Sequence, residues 1–396
     1  MVFTLLAIFS SIAFAANPLD NFLASGTVNP ETCAVLVMDL SNNKVLYSHN
    51  AKKPLVPASI NKAVTIASLL EKSGIDYVYE TKVYALGPIE DGILKGNLLV
   101  VGGGDPALGA IKEPKGTDIL GEIVDALRTR GVKTIQGTIE IDQSIFPGPA
   151  VHPSWPKGDL PYDYGTGVHG LNYQGNVSGK SSVADPSAKF LTNLRSALSK
   201  AGIRLEGRKG MAQEAKTLLL NHKSPTIDDI MRSCMQRSDN MYAETFMRTL
   251  AMLNGKPAAT DEGTAIEREF WTSKGIPMEL VTIIDGSGLS RNNRLTADFM
   301  SRVLKYMSKN ADYASFFPLV GQEGTVTSFL KGTPLEGYLA LKTGSMNGVQ
   351  CYAGYKLDSK YTPTHVVVVM VNGFKSTRQS LKNAIGKMFL EIFKEN

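Results

Sequence analysis

Leu55-Val56-Pro57-Ala58-Ser59-Ile60-Asn61-Lys62 is the stretch on which the reading of this chain turns. Pro57 stiffens the entry, the apolar spacing over 60–72 predicts a helix, and Gly74 stops it. Ser59 and Lys62 are spaced i, i+3, which places a hydroxyl and an amine on one helix face within hydrogen-bond reach. A serine hydroxyl is a poor nucleophile until a base takes its proton. A lysine becomes that base when burial and nearby cations weaken its hold on its own proton. The helix start adds backbone N–H groups and the positive end of the dipole beside the serine. Alone, the motif has an ordinary alternative, a helix cap followed by a solvated lysine.

Two later stretches carry matching chemistry. Ser238-Asp239-Asn240 falls in a break between helices predicted over 227–235 and 241–253. In an extended segment residues i and i+2 point the same way, so Ser238 and Asn240 share a face and Asp239 turns from it. The hydroxyl suits a proton relay; the amide suits holding a peptide carbonyl or the lysine. Lys342-Thr343-Gly344-Ser345 is placed at the end of a strand predicted over 338–342. There the lysine offers fixed positive charge, the hydroxyls of Thr343 and Ser345 offer donors to a carboxylate, and Gly344 lets a substrate backbone come close. The ordinary alternatives are a serine cap and a solvated lysine at a strand end. Taken jointly and in this order, each in a fitting local context, the three motifs point to acyl transfer on Ser59.

Outward from these motifs, strands are predicted over 34–40 and 44–48, joined by Ser41-Asn42-Asn43. From about residue 77 the texture changes. Strands over 79–86 and 94–101 flank an Asp91-Gly92 turn, an amphipathic helix over 118–130 closes at Gly131, and a strand covers 134–142. Residues 146–179 are rich in Pro, Gly and Tyr and have no clear period. Asp185-Pro186 then opens a helix that ends before Gly202. Helices follow over 264–273 and 297–307, and strands over 338–342, 349–356 and 365–371 with short turns read as antiparallel. A last helix over 376–393 lines up Leu381, Ile385, Met388, Phe389 and Ile392. That face suits packing on the sheet, with peripheral membrane contact as the alternative. The expected class is α/β. Residues 16–76 and 224–396 form a discontinuous domain with an antiparallel sheet flanked by helices and a helical lobe; residues 77–223 form an inserted second α/β domain.

The 396 residues are 43% hydrophobic and 20% charged, which excludes wholesale disorder, a collagen-like repeat and a coiled coil and suits two domains. A net charge of +5 with no dense basic run does not indicate a nucleic-acid partner. Cys33, Cys234 and Cys351 are widely spaced and read as buried small hydrophobes, one disulfide being the alternative. His49, His152, His169, His222 and His365 are scattered, so no metal site is expected. Residues 1–15, MVFTLLAIFSSIAFA, are largely apolar, uncharged in their side chains and too short to span a bilayer. Ala13-Phe14-Ala15 fits the small-x-small cleavage rule, so an export signal is expected, an uncleaved anchor or buried strand being the alternative. Gly102, Gly104 and Ala107 match GxGxxA, but no helix follows at once, which argues against a dinucleotide site. Asn176-Val177-Ser178 is a glycosylation sequon.

Further stretches make the pattern specific. Leu55-Val56-Pro57-Ala58-Ser59, Val101-Gly102-Gly103-Gly104-Asp105-Pro106, and Asp285-Gly286-Ser287-Gly288-Leu289-Ser290-Arg291 followed by Asn293-Arg294 join the three motifs. Together they resemble class C low-molecular-mass penicillin-binding proteins, the D-alanyl-D-alanine carboxypeptidase/endopeptidase family with a serine β-lactamase/transpeptidase-like fold, over nearly all of the chain past residue 15. The resemblance implies that Ser59 attacks the penultimate D-alanine carbonyl, Lys62 is the general base, Ser238 relays the proton to the leaving amine and Asn240 positions the substrate. It implies that Lys342 supports the electrostatics, that Thr343 and Ser345 receive the terminal carboxylate beside Gly344, and that the N–H groups of Ser59 and Ser345 form an oxyanion hole. It further implies a periplasmic enzyme with no metal or organic cofactor, peptidoglycan stem peptides as substrate and β-lactams as covalent inhibitors. Large members nest a third domain inside the second; the span from Ser59 to Ser238 leaves little room for it, so it is expected to be reduced or absent. The alternatives are a β-lactamase, for which an ExxLN motif is missing because Leu250 stands where the glutamate is needed, and a non-catalytic wall-binding protein on the same fold.

Overall fold

Val366, Val367, Val368 and Val369 are all fully buried, because this β-branched run lies in a strand covered on both faces. The computed structural model describes residues 17–210 and 216–394; the export segment read at 1–15 lies outside the described residues. Strands β1 (Cys33–Asp39), β2 (Val45–His49), β3 (Leu339–Met346), β4 (Val349–Leu357) and β5 (Pro363–Asn372) form one antiparallel sheet in the order β3-β4-β5-β1-β2. Alternate residues separate the two faces. Ala34, Leu36, Met38, Val366, Val368 and Met370 meet a helical lobe, while Val35, Val367, Val369 and Val371 meet the last helix.

The lobe holds α1 (Asn61–Ser73), α2 (Ile227–Arg237), α3 (Asn240–Leu253), α4 (Thr260–Ser273) and α5 (Ala297–Met307). Nearly every residue of α1 up to Leu70 is buried, since it runs between the sheet and the other helices. The opposite face is closed by α6 (Arg378–Ile392) and the short helix Pro18–Leu23, through Leu381, Ile385, Met388, Phe389, Leu19 and Phe22. The helix expected over 376–393 therefore starts at Arg378, with Thr377 as its side-chain cap. Burial of its apolar face on the sheet accounts for the periodicity.

Residues 80–223 build their own sheets around a separate core of Val83, Leu98, Val100, Ile123, Leu127, Phe190, Leu194 and their neighbours. One sheet runs Lys216–Lys223, Glu80–Leu86, Asn97–Val101, Ile139–Asp142; the other runs Arg204–Leu205, Thr134–Ile135, Ile93–Leu94, Ile89–Glu90. The single strands expected over 94–101 and 134–142 are each split between these sheets. The cause is a crossing of backbones at glycines: a Cβ on Gly96 would lie 1.8 Å from the Leu86 carbonyl oxygen, and one on Gly137 would lie 2.5 Å from that of Gly96. The strand Lys216–Lys223 shows no apolar alternation that would mark it in the sequence, and only Leu219 and His222 are buried.

The aperiodic stretch 146–179 is ordered by buried amides instead of by a ladder. Asn176 Nδ2 donates to Gly167 O (3.0 Å) and Asn172 Oδ1 (2.7 Å), and Asn176 Oδ1 accepts from the Tyr173 N–H (2.8 Å). Asn176 is fully buried, so the sequon has no accessible amide. All three cysteines are free and buried, and burial pushes each thiol up to about 12. The GxGxxA match leads into turns; the next helix, Ile119–Thr129, begins well downstream.

Gly96→Ala should destabilise the fold by about 1–3 kcal/mol through overpacking at this crossing, read as a lowered midpoint in thermal or urea unfolding; an unchanged midpoint would show that the bend has slack.

Candidate active site

Ser59 sits in a short 3-10 turn, Ala58–Ile60, that leads directly into α1. Ala58 is fully buried with φ of +48°, a left-handed conformation costing roughly 1–2 kcal/mol for a residue with a Cβ. Gly344 and Gly288 press on this turn from two sides. A Cβ on Gly344 would lie 2.4 Å from Pro57 O and 3.2 Å from Ser59 N, and one on Gly288 would lie 2.0 Å from Ala58 O. The space that a side chain at 344 would need is therefore occupied by the turn that carries Ser59.

Lys62 follows on the first turn of α1 and is 0% exposed. Its Nζ donates to Asn240 Oδ1 (2.6 Å), Ser287 O (2.8 Å) and Ser59 Oγ (2.9 Å). Two of these partners are carbonyl oxygens that can only accept. A neutral Lys62 amine, with two N–H bonds, must spend both on them, and its lone pair then faces the Ser59 hydroxyl. Desolvation lowers the Lys62 pKa from its ordinary 10.5, while Cys234, Glu244, Asp285 and Asp239 pull it back up.

Ser238 and Asn240 do share the cleft, but not through an extended segment. Ser238 ends α2 in the left-handed region (φ +60°), and Asp239 caps α3 by accepting from the Tyr242 N–H at 3.1 Å. This kink turns both outer side chains inward. Asn240 Nδ2 donates to Tyr164 O at 2.7 Å, which fixes its oxygen toward Lys62.

Strand β3 runs through the whole lysine motif, past the expected end at 342. Alternation puts Lys342 and Gly344 toward the lobe and Thr343 and Ser345 on the other face. Lys342, also 0% exposed, donates from Nζ to Ser238 Oγ (2.8 Å) and to Thr343 O (2.9 Å). Its pKa is driven well down by desolvation and then by the charge of Lys62. Thr343 Oγ1 is 2.8 Å from Thr325 Oγ1, and Ser345 Oγ donates to Gln350 Oε1 (2.8 Å), which Arg378 also holds at 2.8 Å.

Ser59, Ser238, Asn240 and Ser345 line one cleft with Pro156, Asp159, Tyr164, Leu289, Arg291 and Met346. The first three of the latter come from the aperiodic stretch 146–179, where no periodicity marked them. Sequence reasoning also assigned no role to the turn 285–290, to Glu244 or to Arg378. The turn had entered only as one of the stretches that carry the family resemblance. Among the described residues no group of His, Cys, Asp and Glu side chains could hold a metal ion.

Comparisons with known proteins bear on the fold and the family. A carboxypeptidase DacB of Mycolicibacterium smegmatis is 27% identical over 86% of this chain and 77% of its own. The D-alanyl-D-alanine carboxypeptidase DacB of Haemophilus influenzae is 24% identical over 91% of this chain and 90% of its own. The crystal structure of penicillin-binding protein 4 (dacB) from Haemophilus influenzae superimposes with a TM-score of 0.82 at 22% identity, covering 95% of this chain and 99% of that one. A predatory peptidoglycan endopeptidase of Bdellovibrio bacteriovorus, Bd3459, superimposes with a TM-score of 0.58 at 16% identity, covering 92% of each chain. The fold is thus the mixed α/β fold of these proteins. The profile of the D-Ala-D-Ala carboxypeptidase 3 (S13) family matches residues 15–181 and 173–390, and the chain belongs to that family.

Proposed function

We propose that this protein is a penicillin-binding serine DD-peptidase that cleaves D-Ala-D-Ala termini or peptide crosslinks of peptidoglycan through an acyl-enzyme on Ser59. The observation that carries the reading is the three-way contact of the Lys62 amine, which leaves a neutral Lys62 only one place to accept a proton, Ser59 Oγ–H. Family membership and the DacB relatives support the same chemistry. A structure of the Haemophilus influenzae protein complexed with a β-lactam, 24% identical, supports penicillin binding.

The contacts of Lys62 and Lys342 support the following proposed steps. Lys62 takes the Ser59 proton as Oγ bonds to the carbonyl carbon of the penultimate D-alanine. The carbonyl oxygen becomes an oxyanion, held by the Ser59 and Ser345 N–H groups; one such donor is worth about 3 kcal/mol of barrier. Ser238 gives its hydroxyl proton to the departing D-alanine nitrogen as the C–N bond breaks and takes one from Lys342, which donates to it. Asn240 serves first to hold Lys62, since its two amide ends are bonded to Lys62 and Tyr164. Thr343 and Ser345, whose hydroxyls are bonded to Thr325 and Gln350 in this structure, turn from those partners to meet the terminal carboxylate beside the charge of Lys342. Water then adds to the ester carbonyl, its proton passing through Ser238 to Lys342, and as the ester C–O bond breaks Lys62 returns its proton to Ser59 Oγ. A β-lactam follows the same first steps, its ring nitrogen taking the place of the departing amine.

We further assign residues 16–76 and 224–396 to the catalytic domain and 77–223 to an inserted domain with little or no nested third. The enzyme is exported and acts in the periplasm, with at most peripheral contact to the membrane; no helix of the described residues is long and apolar enough to cross one.

Fluorescent penicillin should label the purified protein, and Ser59→Ala should abolish labelling; labelling that survives the substitution would place the nucleophile elsewhere. Lys62→Met should slow acylation by about 10²–10⁴-fold. In the wild type, acylation should speed up with rising pH along a limb below 10.5, because burial lowers Lys62 and the neutral amine is the base; a rate that falls as pH rises from neutrality would contradict it. Defined monomeric and crosslinked muropeptides, analysed by mass, should lose terminal D-alanine or the crosslink. Rapid steady-state turnover of nitrocefin without muropeptide cleavage would instead mark a β-lactamase.

A further inference from the structure

We propose that Glu244 is a positioning residue that, acting through the backbone of Ser287, fixes the Lys62 amine and sets how readily it accepts the Ser59 proton. The inference rests on the serine DD-peptidase reading and names a control element within the same site.

Glu244 lies one helical turn beyond Asn240 on α3, so both face α1. Asn240 touches Lys62 directly. Glu244 reaches it across one residue: Oε1 accepts from the Ser287 N–H at 2.7 Å, and the Ser287 carbonyl accepts from Lys62 Nζ at 2.8 Å. Glu244 is 2% exposed, deep behind the cleft. The turn it grips is held on every other side as well. Asp285 Oδ1 accepts from Gly288 N and Asn293 Nδ2, both at 2.8 Å, and Asp285 Oδ2 from Ser290 N (2.6 Å) and Trp155 Nε1 (2.9 Å). Thr65 and Asn61 of α1 donate to the carbonyls of Gly286 (2.9 Å) and Asp285 (2.8 Å). Packing alone would hold such a turn in place with an uncharged acceptor at 244. A carboxyl there adds a titratable charge beside the base.

The groups around that carboxyl are few. Lys62 faces it from α1, Asp285 from the turn, Glu267 from α4 and Arg248 from its own helix. Burial, then the charge of Asp285, pushes Glu244 up to about 7, against the hydrogen bonds from Ser287 that pull it down. Glu244 therefore gains its negative charge at a higher pH than an ordinary carboxyl does. Its negative charge strengthens Lys62's hold on a proton. The consequence is a brake: as pH rises through about 7, Lys62 is held in its charged form longer than it would be beside a neutral partner.

Glu244→Gln separates charge from position, because the amide oxygen still accepts from the Ser287 N–H. Pre-steady-state penicillin acylation is followed for wild type and E244Q from about pH 6 to about pH 8. The ratio of variant to wild-type rate constants should rise across that range, because the charge that slows the wild type is gained with rising pH and is absent from the variant. A ratio that is constant with pH, whatever its size, overturns the inference and leaves Glu244 a purely structural acceptor. Should E244Q melt below the assay temperature, the wild type decides alone: its logarithmic rate plot should flatten near pH 7, and a straight plot overturns the inference. Absence of acylation in the wild type would instead strike down the peptidase reading itself, a result distinct from either.

Discussion

Two lysine amines, Lys62 and Lys342, are buried completely, each bonded to a serine of one cleft, and most of what surrounds them answers to that constraint. An ammonium group taken out of water is costly unless each proton finds an acceptor. Lys62 has three acceptors, drawn from the turn at 59, from α3 and from the turn at 285–290. Lys342 takes the end of α2 and its own strand. Burial weakens the hold of both amines on their protons, and each lysine's charge disfavours the other's. Desolvation thus serves the chemistry, and the hydrogen bonds keep it from unravelling the fold.

The acceptors come from segments far apart in the chain, so the site exists only when the sheet, the lobe and the inserted segment are docked. The inserted segment reaches in at several points. Tyr164 O fixes the Asn240 amide, Trp155 Nε1 bonds Asp285, Ser154 Oγ donates to Ser290 Oγ at 2.7 Å, and Pro149 O accepts from Arg248 at 2.6 Å. Residues that look like a loop between domains are part of the wall that holds the base. Small residues permit this density. Gly344, Gly288 and Ala58 let three backbones meet within van der Waals distance around the nucleophile, and the left-handed strain at Ala58 is balanced by the packing on both sides of it.

Much of this was legible beforehand. The SxxK, SxN and KTG motifs named the residues that meet, because each is a local pattern in a recognisable helical or strand context. The helices and the central strands followed from apolar periodicity, since their buried faces are regular. Legibility failed where regularity did. The strands over 94–101 and 134–142 were read whole because their apolar runs are continuous, and only the crossing at Gly96 and Gly137 divides them. Tyr164 and Trp155 act from a stretch with no period, one of them through a backbone carbonyl that no side-chain pattern announces.

The sequence by itself determined which functional groups are present, the order in which they occur, and which secondary elements carry them, since spacing along a chain governs which neighbours share a face. Only the tertiary structure decided that Lys62 has a single free direction, that Gly344 makes room for the nucleophile's turn, and that Glu244 lies behind the base. Those are relations between side chains and backbones brought together across a long separation in sequence. They depend on how elements pack, and packing is settled by burial and by the pairing of buried polar groups, neither of which a local pattern contains.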